Sequence, residues 1–161
     1  NTSKLWSVES RECLMTMGHN GYVMSASFSP DGRYVVTASG DWTSKLWSVE
    51  SGECLMTMNH VYGVNSATFS PDGRYVVTAC VDHTSKLWSV ESGDCLMTMN
   101  HEYEVKSASF SPDGRYVVTA SGREARIHTI KSHEEILDKW SEFLGPNAVI
   151  TKEEKEKYHL N

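Results

Sequence analysis

The chain has 161 residues, room for one domain, and its 39% hydrophobic content is too high for a disordered chain. Its formal net charge of −6 leaves no surplus of Lys and Arg to neutralise phosphates, so a nucleic-acid partner is not expected. No apolar run approaches the roughly 20 residues that cross a bilayer and no signal peptide is legible, so a membrane partner is not expected either.

The first legible strands are residues 2–8, "TSKLWSV", and 13–17, "CLMTM". The former alternates apolar and polar residues as a half-buried strand does; the latter is a short apolar run. Residues 22–28 predict a third strand. It runs into "SPDG", Ser29 to Gly32, a Pro followed by Asp-Gly that makes a tight turn. "RYVVTAS", Arg33 to Ser39, is dense in β-branched and aromatic residues and predicts a strand over 34–39. "TSKLWSV" then returns at 43–49, "ESG" turns the chain, and "CLMTM" returns at 54–58. The same series fills residues 62–99 and starts again at 103–110 and 116–121, then dissolves after Gly122, with a further strand expected at 125–130.

Trp6, Trp47 and Trp88 lie 41 residues apart, as do Phe28, Phe69 and Phe110, and His19, His60 and His101. Between residues 13–53 and 54–94, ten positions differ and 31 of 41 are identical. A β-rich repeat of that length predicts propeller blades, and a lone four-stranded sheet cannot bury both faces, so the units must stack.

His19, then Val23, then "FSPDG", then the turn carrying Asp41, then "KLW" recur in phase. In these motifs residues 1 to about 130 resemble the WD-repeat β-propeller family, with Trp-Ser in place of the dipeptide that names it. The resemblance implies an all-β fold: a partial β-propeller of about three four-stranded antiparallel blades over residues 1–130, with strands a to d running outward from a central channel. It also implies a structural hydrogen-bond network in each blade. Asp41, His19, Thr37 and Trp47 would form the first, and Asp82, His60, Thr78 and Trp88 the second. In the third, Arg123 replaces the Asp, one residue is missing, and His128 falls where Trp would stand, so this blade is expected to be the least regular.

A hydroxyl, an imidazole and a carboxylate are also the parts of a nucleophilic relay. A set repeated unchanged in successive units reads instead as a packing device, so catalysis is not expected. No glycine-rich phosphate loop occurs, no Cys-x-x-Cys occurs, and His133-Glu134-Glu135 is followed by Leu at 137 rather than a second His. No cofactor and no metal site is therefore expected. Cys13, Cys54 and Cys95 are one position repeated and read as small buried hydrophobes, while Cys80 stands in a different slot. Such unpaired usage fits a reducing, cytoplasmic compartment.

The ten differences between the first two full repeats cluster. Five lie in the d–a loop and the start of strand a, from Gly18/Asn59 to Met24/Asn65. Three lie in the b–c turn: Ser39/Cys80, Gly40/Val81 and Trp42/His83. Both connections emerge at one end of a four-stranded meander, so the variation gathers on one rim. Drift of loosely packed loops does not account for the unchanged a–b turn. The expected function is a non-catalytic scaffold that binds a protein or peptide partner on this rim. Its candidate residues are Tyr22, Met24, Trp42, Tyr62, Asn65, His83, Tyr103 and Lys106, whose exposed aromatics suit interface anchors. The alternative is a structural segment that completes a ring. Thirteen strands make just over three blades, so closure is expected from a homo-oligomer or from a larger parent chain.

Residues 131–161 predict a C-terminal α-helical tail. Ser132 with Glu135 and Thr151 with Glu154 form capping boxes, Gly145-Pro146 separates two helices, and Ile136, Leu137, Trp140, Phe143 and Leu144 share one face of the first.

Overall fold

The computed structural model describes residues 1–130. The expected tail helices, their capping boxes and their apolar face lie outside the described residues. Within them, the regular structure is entirely β. Thirteen strands follow in order: β1 (Thr2–Trp6), β2 (Cys13–Gly18), β3 (Val23–Phe28), β4 (Tyr34–Ser39), β5 (Thr43–Ser48), β6 (Cys54–Asn59), β7 (Val64–Phe69), β8 (Tyr75–Cys80), β9 (Thr84–Ser89), β10 (Cys95–Asn100), β11 (Val105–Phe110), β12 (Tyr116–Ser121) and β13 (Glu124–Thr129). They make a half-sheet β1-β2, two full meanders β3-β4-β5-β6 and β7-β8-β9-β10, and a third sheet β11-β12-β13.

The turns form for local reasons. Ser29 Oγ donates to Asp31 Oδ1 at 2.6 Å and accepts the Tyr34 N–H at 2.9 Å, while Asp31 accepts the Arg33 N–H at 3.0 Å. Gly32 closes this turn at φ 73°, a left-handed conformation that costs a glycine little. The next turn uses Gly52 in the same way, and Arg11 occupies the equivalent place before β2 at φ 60°.

Burial follows the repeat. In β4 every residue after Tyr34 is buried, because Val35 faces one neighbouring sheet and Val36 the other. Val36, Ala38 and Met58 of the first full sheet pack with Val64, Ala67, Val76 and Trp88 of the second. Met15 and Met17 of the half-sheet pack with Val35 and Trp47. The strands β3, β7 and β11 stand side by side and are joined by side-chain rungs. Ser25 Oγ accepts the Ala67 N–H at 3.1 Å and Ser27 Oγ donates to the Ala67 carbonyl at 3.2 Å. Ser66 and Thr68 repeat the pair on Ala108 at 3.3 and 3.1 Å.

The cysteines correct the sequence reading. Cys13, Cys54 and Cys95 are exposed and only Cys80 is buried; all four are free thiols. The three begin the outermost strands β2, β6 and β10 beside a register shift, for example at Leu46/Trp47 opposite Cys54. Among the described residues these strands are sheet edges, covered by a neighbouring sheet over only part of their length, so a small side chain at the start stays in solvent while Met58, four residues on, is 1% exposed.

Candidate functional site

The site begins with the joint beneath the rim. His19 lies just past β2 and its side chain reaches across to the first full sheet. Its Nδ1 lies 2.9 Å from Asp41 Oδ2 and its Nε2 lies 2.7 Å from Thr37 Oγ1. Trp47 Nε1 donates to the same Thr37 oxygen at 2.9 Å. Donor accounting orients the chain of bonds. An indole N–H can only donate and a carboxylate can only accept, so Nδ1–H of His19 donates to Asp41 and Nε2 accepts the Thr37 hydroxyl proton. This requires a neutral imidazole. Burial lowers the His19 pKa, and the opposing pull of Asp41 does not reverse it. Burial pushes the Asp41 carboxyl up, but donors from Thr43, the Asn20 N–H and His19 outweigh it and hold it well below the usual range. Thr37 is fully buried and its oxygen is already engaged, so the relay-like order offers no nucleophile to a substrate.

The second sheet departs from the expected network. Trp88 Nε1 donates to Thr78 Oγ1 at 3.0 Å, and Asp82 accepts from the Thr84 N–H and hydroxyl at 2.9 and 2.6 Å. His60 does not join them: both of its ring nitrogens are buried without a hydrogen-bond partner. Two sequence differences touch this spot. Ser39, whose Oγ accepts the Asp41 N–H at 3.1 Å, becomes Cys80, whose sulfur contacts the carbonyls of Tyr62 and Gly63 at 3.3 Å. Asn20 donates its backbone N–H to Asp41 at 2.8 Å, a donor that Val61 in its place keeps. Burial, with Lys86 nearby, lowers the His60 pKa to about 4, and burial pushes the Cys80 thiol up to about 11. His60, Cys80 and Asp82 bring one potential ligand atom each to within 4.8 Å of one another. A metal-ligand reading of these three was missed in the sequence, where only the Ser39/Cys80 difference pointed to it.

In the third sheet His128 takes the role of the indole, with its Nε2 3.1 Å from Thr119 Oγ1. His101 packs against it at 5.5 Å between ring centroids, and its Nδ1 is buried without a partner.

Above these joints lies the rim. The d–a loop and b–c turn meet directly: the Gly40 N–H donates to the Tyr22 carbonyl at 2.8 Å, and a Cβ on Gly21 would come within 2.6 Å of the Asp41 nitrogen. Tyr22, Met24, Trp42, Tyr62, His83, Tyr103 and Lys106 are exposed, and Asn65 is half-buried. Trp42 of the first full sheet leans on Tyr62 of the next at 6.1 Å between ring centroids, which joins the two rims. Two backbone features set this surface apart. Met24, Asn65 and Lys106 are each the extra residue of a β-bulge, skipped in pairings such as Val23↔Ser39 then Ser25↔Ala38. Trp42 and His83 sit at φ 70° and 66°, where the third sheet has Gly122 at 59°. Neither feature is legible in the sequence. Asn65 Nδ2 donates to the Val105 carbonyl of the third sheet at 2.8 Å, and Lys106 is paired with Glu104.

No curated protein matches the chain significantly. The family model of the WD domain, G-beta repeat, matches three times, over residues 11–48, 52–89 and 93–129. Repeats of that family are generally non-catalytic scaffolds that bind proteins or peptides. These in-phase matches cover most of the chain, each taking the outermost strand of one sheet with the first three strands of the next, so the chain belongs to the WD40 repeat family.

Proposed function

We propose that the rim of d–a loops and b–c turns binds a protein or peptide partner, and that the chain is a non-catalytic scaffold. The observation that carries this reading is a constant backbone with changing side chains. The same bulge presents Met24, Asn65 and Lys106 in successive sheets, and the same left-handed turn position presents Trp42 and His83. Bulges re-aim side chains and are frequent beside functional sites. A bulky residue in the left-handed region costs roughly 1–3 kcal/mol, a cost that functional sites retain. Tyr22, Trp42 and Tyr62 supply large exposed aromatic surface beside these positions. The test selects peptides from a displayed library on the wild-type chain and measures their capture by a Tyr22→Ala/Trp42→Ala/Tyr62→Ala variant. Capture is lost while the β circular-dichroism signal stays. Undiminished capture by the folded variant contradicts the rim.

A second reading, assembly, has its own observation. Val118 on the third sheet is 39% exposed, whereas its equivalents Val36 and Val77 are fully buried between sheets. Tyr116, Val118 and Ile127 with Phe110 line an open apolar face there. Such a face suits another sheet, supplied by a second copy of the chain or by a larger protein, to complete a propeller ring. Light scattering decides its oligomeric form: a discrete dimer supports assembly between copies, and a monomer at all concentrations contradicts it.

A further inference from the structure

We propose that His60, Cys80 and Asp82 form a zinc site that bridges the first and second full sheets. The motivating contrast is internal. The two repeats are 31 of 41 identical, yet His19 is hydrogen-bonded through both ring nitrogens and His60 through neither. His60 is 9% exposed, so two polar atoms are withdrawn from water with nothing in return. At the register position of Ser39, the second sheet carries Cys80, fully buried. Replacement of a hydroxyl by a thiol removes a good hydrogen-bond acceptor and adds a zinc ligand.

The donor set is chemically coherent. One imidazole nitrogen, one thiolate and one carboxylate are the ligand types of zinc, and a water completes a tetrahedral site with three protein ligands. Bond lengths of about 2.0–2.3 Å set ligand atoms roughly 3.3–3.6 Å apart. The three donors, within 4.8 Å of one another, therefore close onto the ion by shifts of about 1 Å. As the zinc–sulfur bond forms, the Cys80 thiol gives its proton to water. Zinc, thiolate and carboxylate then sum to no net charge, which suits a buried position. The first repeat cannot do this, because Ser39 replaces the sulfur and Asp41 already holds His19.

The elements involved say what the ion would do. The His60 N–H is held by the Trp42 carbonyl at 2.9 Å, just past the end of the first sheet, while Cys80 ends β8 and Asp82 lies in the b–c turn that follows it in the second. Zinc would tie one sheet to the next directly below the Trp42–Tyr62 contact.

The full chain is titrated with zinc alone, and with cobalt as a spectroscopic stand-in. One zinc binds per chain, the thermal midpoint rises with zinc, and cobalt gives a thiolate charge-transfer band. Cys80→Ser, which gives the second sheet the residue of the first, abolishes the band and weakens zinc binding at least about tenfold. His60→Gln has the same effect should Cys80→Ser fold poorly. A Cys13→Ser/Cys54→Ser/Cys95→Ser variant keeps both band and affinity. Absence of zinc uptake by the wild type, unchanged binding by Cys80→Ser, or loss of the band in the triple variant overturns the site.

Discussion

Thr37 is the residue on which the first joint turns. Its one oxygen accepts the Trp47 indole and faces the His19 imidazole, and both partners are buried. Thr37→Ala leaves a donor and an acceptor without a partner and should destabilise the protein by roughly 1–3 kcal/mol, read as a lower urea midpoint. A change within error contradicts the assigned bonds. The tautomer makes a second prediction. Burial lowers the pKa of His19, and of His101 and His128 in the third sheet, below the ordinary value. The unfolded chain therefore binds more protons than the folded one. Stability is full above about pH 6.5 and is lost as pH falls below it, through the folded values. Protonation of Asp41, whose carboxyl is held low, adds to the loss in stronger acid. Urea midpoints taken from pH 8 down to 4 should fall on the acid side; a flat or rising profile contradicts neutral imidazoles.

At the scale of the strand, the side-chain rungs between β3, β7 and β11 explain why small hydroxyl residues recur there. Ser25→Ala removes the acceptor of the Ala67 N–H and should speed hydrogen exchange at that amide, with little change at β4 or β5. Equal protection in the variant contradicts the rung. The strands themselves were legible in the sequence, because turn residues such as Asp31 and Gly32 act locally and bracket runs such as "YVVTAS". Their faces were less so. Cys54 and Met58 share one apolar run, yet one is exposed and the other buried, since an outermost strand has a neighbouring sheet over only part of its length.

For the stack of sheets as a whole, what the sequence left open lies between repeats. The residues of the first joint could be named from the resemblance to WD repeats. The failure of His60 to join Asp82 could not, because it depends on how the His60 ring and the turn that follows Cys80 are placed in space. The Trp42–Tyr62 contact is likewise hidden, since its partners come from neighbouring sheets. A rim shaped for a partner, as proposed, carries some cost to stability. Arg11 and Trp42 separate the two terms, for both are non-glycine residues in the left-handed region, but only Trp42 lies on the rim. Relief of that strain by glycine, roughly 1–3 kcal/mol, exceeds glycine's entropy cost of roughly 0.5–1 kcal/mol and should stabilise each variant, less for Trp42 as the Tyr62 contact goes. The decisive measurement is therefore the affinity of a library-selected peptide for Arg11→Gly and Trp42→Gly, with the urea midpoint of each. Affinity should be unchanged for Arg11→Gly and fall at least about tenfold for a stably folded Trp42→Gly. Equal affinity of both variants for the peptide would contradict the proposed rim.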